Sequence, residues 1–427
     1  MKIAQESTKD TLRYMVDGIR YVCEHYKKRS PGSESERKSQ EFFRDELKKY
    51  SDKVDMEDFE LHPLAFMGWI PVAGAGGILS VILFWLRTVS SSIALPIIAM
   101  VVTTLGVLCF VFEFMLYREF VDFLFPKKIS RNVMARRAPK GEVKRRIIFG
   151  GHADAAYEWT YSLHGQMKAL APVIGGSIGG LFFIAITNLI LLVQTLVTGT
   201  AVEITGAWKV IGIIELVLIP FFVAIMFFIN WRVIVDGAND NLSACYIAMG
   251  VLKEMEDNNF RFDNTEVCCL ISGSEEAGLR GALAYAKKHK EDLSDVETIY
   301  IAMDTMREIE QLQVYTQGQT GTQRDDEAIG ELLTEAGENC GIKMPRTDIY
   351  PGAIDAEGFS RIGLRAAGFC AVNHDPKTYY HTRLDTPDNI SEECLKVSLD
   401  ICMEAAYLFD KNGMAVYDEK AKNLKKK

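Results

Sequence analysis

The stretch Arg145-Arg146-Ile147-Ile148-Phe149-Gly150-Gly151-His152-Ala153-Asp154 decides how this chain reads. A short apolar run broken by two glycines has the pattern of a buried strand, and a histidine and an aspartate follow it two residues apart. Ligating side chains just past a strand sit at its carboxyl end, where open α/β sheets build their sites. Further β-like runs occupy residues 131–137, 266–272, 298–303 and 368–372, and helical patterns fill 242–256, 279–288, 326–336 and 392–409. That alternation predicts an α/β domain with a mixed, mostly parallel central sheet and helices on both faces. Upstream, Leu12, Val16, Ile19, Val22 and Tyr26 follow a helical period, and the turn Ser30-Pro31-Gly32-Ser33 leads into a second helical run that ends near Tyr50.

The chain has 427 residues, of which 48% are hydrophobic and 25% charged, so the apolar content must be concentrated in blocks. Four such blocks stand out in two pairs: Ala65–Leu86 with residues 93–117, and residues 172–197 with 210–230. Each approaches the roughly 20 residues that cross a bilayer as a helix. The reading is therefore one soluble domain assembled from residues 1–62, 129–168 and 231–427, with transmembrane hairpins inserted at 63–128 and 169–230. Pro71 and the Gly-Ala-Gly-Gly run from Gly74 interrupt the first block. Glu215, inside the fourth, should face other helices or a wet cavity and not lipid. Lys48, Lys49, Lys53, Arg118, Lys127, Lys128, Arg131, Arg136, Arg137, Lys168 and Arg232 flank one side of these blocks, against Arg87 and Lys209 on the other. This asymmetry predicts a multi-pass protein of the cell membrane whose soluble segments are cytoplasmic.

The first 60 residues are polar and charged throughout, which does not fit a signal peptide. The nine cysteines show no CxxC pair and read as reduced, and Cys268 and Cys269 read as strand residues. A net charge of -9 with no basic patch in the soluble segments argues against a nucleic-acid partner.

Five segments carry candidate chemistry: Gly150 to Asp154, Asp236-Gly237-Ala238-Asn239-Asp240-Asn241, Ser274-Glu275-Glu276-Ala277-Gly278, Ala302-Met303-Asp304-Thr305, and Tyr379-Tyr380-His381-Thr382-Arg383-Leu384-Asp385-Thr386. Zinc takes imidazole nitrogen and carboxylate oxygen, and a two-metal site needs a carboxylate able to bridge. Each segment alone is a weak signal, but their ordered placement after predicted strands is not.

Together these segments resemble the dizinc aminopeptidase family of clan MH, which includes bacterial leucyl aminopeptidases and glutamate carboxypeptidases. The resemblance begins at Arg29-Ser30-Pro31-Gly32-Ser33 and continues through Asn132-Val133-Met134-Ala135. It implies a zinc-peptidase fold and two zinc ions, with His152 and Asp304 on one, Glu276 and His381 on the other, and Asp240 bridging. Glu275 becomes the general base acting on a zinc-polarised water, Asp154 orients His152, and Tyr380 is a candidate donor to the developing oxyanion. Asn239 departs from the family, which often has aspartate there, and residues 350–359 resemble its late substrate-side loop, so that Asp355 is a candidate pocket residue.

The resemblance further implies that the His152 strand pairs antiparallel with the strand starting near Asn132. Both insertions would then emerge beside the metals, so that the site faces the membrane. The expected partners are the lipid bilayer and a peptide or N-acyl amino acid substrate, hydrophobic or lipid-linked. Three other readings share the motif set: an N-acyl amino acid amidohydrolase, a glutaminyl-cyclase-like acyltransferase, and a non-catalytic receptor or scaffold. Oligomeric state is left open.

Overall fold

The computed structural model describes residues 5–318, 324–348, 352–372 and 379–424. In chain order the strands are β1 (Lys53–Leu61), β2 (Lys128–Arg137), β3 (Arg145–His152), β4 (Tyr157–Trp159), β5 (Ile229–Ile234), β6 (Thr265–Ser272), β7 (Glu297–Met306), β8 (Gln313–Gln317), β9 (Arg346–Asp348) and β10 (Ala366–Ala371). Helices α1 (Gln5–His25) and α2 (Glu34–Leu47) precede β1, and α3 (Ala65–Leu86) and α4 (Ala94–Cys109) precede β2. Helices α5 (Thr160–Thr198) and α6 (Gly206–Ile225) lie between β4 and β5. The rest are α7 (Ala244–Asp257), α8 (Arg280–Lys288), α9 (Glu327–Asn339), α10 (Ala356–Ser360), α11 (Glu392–Asn412) and α12 (Ala415–Leu424).

The chain divides into two compact units. The first comprises residues 1–63, 127–157 and 233–427, and is built on an eight-stranded sheet of order β1-β2-β6-β3-β7-β10-β8-β9. Strands β6, β3, β7 and β10 run parallel, and β2 and β8 are antiparallel to their neighbours in that central block. Alternate residues of β3 feed opposite faces. Ile147 and Phe149 enter a core with residues of α1, α7, α9 and α11, whereas Ile148 joins a second core with residues of α8 and α10. The expected mixed, mostly parallel sheet with a helix layer on each face is what the structure contains.

One expectation is corrected. The His152 strand does not pair with the strand starting near Asn132, because β6 lies between them and is antiparallel to β2 and parallel to β3. The reason is burial. Residues 147–149 are fully buried, and a strand apolar on both faces takes a central place with parallel neighbours on either side. The edge assignment survives this change. His152 pairs with Ser272 and Val133 with Ile271, so β2 begins where β3 and β6 end, and β1 ends there too, with Leu61 opposite Lys128.

The second unit comprises residues 64–126 and 158–232. Residues 158–168, grouped above with the soluble domain, fall here because the end of β4 leads directly into α5, which starts at Thr160. Among the described residues, four helices are long and apolar enough to cross a membrane: Ala65–Leu86, Ala94–Met115, Thr160–Thr198 and Gly206–Ile225. Within this unit Phe222 is fully buried, and a Cβ on Gly77 or Gly180 would come within 2.8 or 2.9 Å of its ring, so small residues let α3 and α5 approach α6 closely. Glu215 is buried and accepts a hydrogen bond from the Thr187 hydroxyl at 3.1 Å, facing α5 as expected.

The sheet makes a stability prediction. Phe149→Ala should destabilise the first unit by about 3–5 kcal/mol through the cavity it leaves, read from denaturant unfolding of the detergent-solubilised chain.

Candidate metal centre

The carboxyl edge of the parallel strands gathers the candidate residues because each follows the end of a strand or opens a helix. His152 ends β3, Glu275 and Glu276 sit on a turn after β6, Asp304 lies near the end of β7, and Asp240 is in the segment leading into α7. His381 arrives from the segment before α11, held in the left-handed region at φ 50°.

The distances sort these groups. His152 Nε2 lies 3.3 Å from Asp240 Oδ1 and 3.8 Å from Asp304 Oδ2. His381 Nε2 lies 2.9 Å from Asp240 Oδ2 and 3.3 Å from Glu276 Oε1. Three ligand-competent sets result: His152–Asp240–Asp304 and Asp240–Glu276–His381, which share Asp240, and His152–Glu275–Glu276. Glu275 also approaches, its Oε2 being 3.8 Å from His152 Nε2.

The residues fit zinc on their own chemistry. His152 Nε2 and Glu276 Oε1 are buried with no hydrogen-bond partner, although ligand-type atoms surround them. Buried polar atoms rarely go unpaired, and carboxylates that converge in a low-dielectric pocket repel one another. A divalent cation satisfies both atoms and offsets the repulsion, and imidazole with carboxylate is a zinc donor set.

The electrostatics show the same tension. Burial disfavours a charged His152, yet Asp154, Asp240 and Glu275 outweigh it and hold its pKa well above the histidine range. Burial also opposes charge on His381, but Glu276 and Asp240 push it up to about 10. Burial, reinforced by Asp240, raises Asp304 to about 8, and burial drives Glu275 well up. Asp240 alone moves down, because its two histidines overcome the penalty of burial.

Behind these groups lies a layer of buried acceptors. Asp154 places Oδ1 3.3 Å from His152 Nδ1, which leaves Nε2 for a metal, and its two oxygens accept the backbone N–H groups of Glu275 and Glu276 at 3.0 Å each. Asp385 accepts from the backbone N–H and side-chain amide of Asn239 at 2.8 and 2.7 Å, and from the Asp240 N–H at 3.1 Å. This accounts for Asn239. Its amide donates to Asp385, a bond that an ionised aspartate could not make. Asn241 bridges to the Met303 carbonyl at 2.9 Å and the Thr305 N–H at 3.3 Å, tying the Asp240 segment to β7.

The remaining candidates are placed as follows. The Tyr380 ring stacks on His381 with centroids 4.2 Å apart. Asp355 is buried and accepts from the Ser272 hydroxyl beside the strand end. Tyr350 and Pro351 of the loop containing it lie outside the described residues. Sequence reading missed the roles of Asp385 and Glu36. The first sits four residues past His381 in a segment already singled out, and the second had no local signal.

A parallel sheet whose carboxyl edge gathers two imidazoles and four carboxylates defines the class of α/β metallohydrolases. Residues 226–406 match the model of Peptidase family M28. Solved structures with the same fold include an aminopeptidase from Aneurinibacillus sp. strain AM-1, at 16% identity and TM-score 0.54, with 94% of each chain covered. A zinc aminopeptidase from Bacillus subtilis matches at 13% identity and TM-score 0.53, covering 93% of this chain and 94% of the other. A glutaminyl cyclase from an Acidobacteriales bacterium matches at 13% identity and TM-score 0.51, with 97% of each covered. No curated protein matches the chain significantly.

Asp385 gives the test of this layer. Asp385→Ala should weaken zinc binding about 10–100-fold without abolishing it, measured by chelator competition, because the Asp240 backbone loses its anchor while the ligands remain.

Proposed function

We propose that this chain is a membrane-embedded aminopeptidase that works with two zinc ions. The observation that carries the proposal is the shared position of Asp240, whose two oxygens approach His152 and His381 separately. His152 and Asp304 would hold one ion, Glu276 and His381 the other, and Asp240 both. Bound zinc would supply Lewis acidity, polarising a water and the scissile carbonyl.

The protein's own groups do the rest. Glu275, outside the two ligand sets that share Asp240, accepts the water proton and passes it to the leaving amine. Asp154 fixes both the imidazole orientation of His152 and the backbone of Glu275. Tyr380 donates to the developing oxyanion from beside His381.

The four apolar helices cross the bilayer in this reading, and the basic flanks put the catalytic segments in the cytoplasm. Within the first unit, β1 ends and β2 begins at the edge that carries His152, and Tyr157 and Val233 lie within a few residues of His152 and Asp240. Those four points are where the chain leaves and rejoins the unit, which supports a catalytic edge turned toward the membrane. Its substrate would be a hydrophobic or lipid-linked peptide or N-acyl amino acid.

The likeness to a glutaminyl cyclase keeps an acyltransferase as the second reading. Metal counting separates the two, with two zinc ions per chain expected here. The convergence of the five proposed ligands and of Glu275 supports a catalytic over a receptor role.

Two outcomes are expected. Glu275→Gln should lower amide hydrolysis by about 10²–10⁴-fold while zinc content stays unchanged, profiled by mass spectrometry on a library of peptides and N-acyl amino acids. In intact cells, Ser91→Cys between α3 and α4 should react with a membrane-impermeant maleimide and Lys140→Cys should not. The reverse pattern would invert the topology.

A further inference from the structure

The eight residues from Arg29 to Glu36 run from the connection after α1 into the first turn of α2 and touch the flanks of both insertions. Arg29 is fully buried. Its Nε donates to the Ala153 carbonyl at 2.9 Å, and its Nη2 donates to the Asp236 and Gly237 carbonyls at 2.7 and 3.4 Å. Its own carbonyl accepts from the Ala155 N–H at 3.0 Å. One guanidinium therefore joins the residue after His152 to the residues before Asp240, on either side of the insertion 158–232.

Gly32 meets the other insertion. At φ +66° it occupies the left-handed region, and a Cβ there would come within 2.9 Å of Lys128 Cβ and 3.5 Å of Pro63 Cγ, the residues that flank 64–126. Its N–H donates to Glu36 Oε2 at 2.8 Å and to the Ser274 hydroxyl at 3.1 Å. The fully buried Glu36 then accepts the Ser274 N–H and hydroxyl on Oε1, at 2.7 and 2.9 Å. Ser274 is itself left-handed at φ 55°, a conformation that a non-glycine residue holds only when its surroundings impose it. Glu36 and Asp154 thus capture three successive N–H groups, those of Ser274, Glu275 and Glu276.

We propose that Arg29–Glu36 is a positioning strap for the metal centre. Arg29 keeps the His152 and Asp240 loops within reach of a common ion across the insertion, and Glu36 sets the turn that presents Glu275 and Glu276. The proposal rests on the metal-centre reading for the identity of the ligands, and it does not depend on the reaction. A guanidinium suits the task because its planar fork reaches acceptors on separate loops, whereas an ammonium is a single point of charge.

The test uses the full chain, purified in detergent and loaded with zinc. Arg29→Lys and Arg29→Met should both weaken zinc binding about 10–100-fold in chelator competition with the far-ultraviolet circular dichroism unchanged, lysine giving no rescue. Glu36→Gln cannot accept from all three donors. It should retain both zinc ions while amide exchange across residues 274–278 speeds up about tenfold, the scale of one lost buried hydrogen bond. Wild-type zinc affinity in Arg29→Lys, or wild-type exchange in Glu36→Gln, overturns the strap. If the Arg29 variants do not fold, the exchange result for Glu36→Gln decides alone. A wild-type chain that binds zinc and hydrolyses no amide would instead defeat the proposed function and leave both strap measurements valid.

Discussion

Asp240 has to present one oxygen to His152 and the other to His381, and the organisation of the catalytic unit follows from that demand. The two histidines reach the carboxylate from segments more than 200 residues apart, one at the end of β3 and one before α11. Such a convergence of acids is unfavourable in a buried place unless cationic groups balance it. The two histidines and a bound cation would supply that balance, and a second set of carboxylates fixes the geometry. Asp385 and Asp154 each accept backbone amides adjacent to the ligands, so that the ligand segments are fixed from behind and their free oxygens point inward. Asp385 holds the Asp240 loop in this way, and Asp154 holds the turn of Glu275 and Glu276.

Much of this was visible in the sequence, and what was hidden has a physical reason. Strands β3, β6, β7 and β10 are buried on both faces and read as short apolar runs. β1 gave no such signal because it is an edge strand carrying Asp55, Glu57, Asp58 and Glu60, and its pairing with β2 is reinforced by charge, with Arg131 bonded to Asp58 and Lys127 to Glu60 at 2.8 Å each. Alternation of charged residues reads as loop. The neighbour of β2 was also misjudged, since pairing depends on contacts between distant segments that no local pattern records.

The same distinction applies to the site. The candidate metal ligands were legible because they follow strand ends in a fixed order. Glu36 was not, because a carboxylate that accepts amides from Ser274 carries no local mark, and an acid at the start of a helix is ordinarily a favourable charge at the positive end of the dipole. Asn239 stood out as a departure from the family, and the structure turns it into a compensation, since its amide supplies a donor that Asp385 needs.

An insertion of 75 residues between His152 and Asp240 would be expected to threaten a site that requires both. Polymer statistics say otherwise, since each doubling of a loop adds only about 0.6 kcal/mol of closure entropy, and three doublings add roughly 2 kcal/mol. The harder requirement is geometric, because the two ends of the insertion must return to the same spacing with sub-ångström accuracy. That requirement is met locally. The Val235 N–H donates to the Ala156 carbonyl at 3.0 Å, β4 pairs with β5, and Arg29 bonds both flanks. With its ends held in this way, the length and composition of the inserted segment are free to vary, and a pair of long apolar helices can occupy a connection that leaves the ligand geometry unchanged.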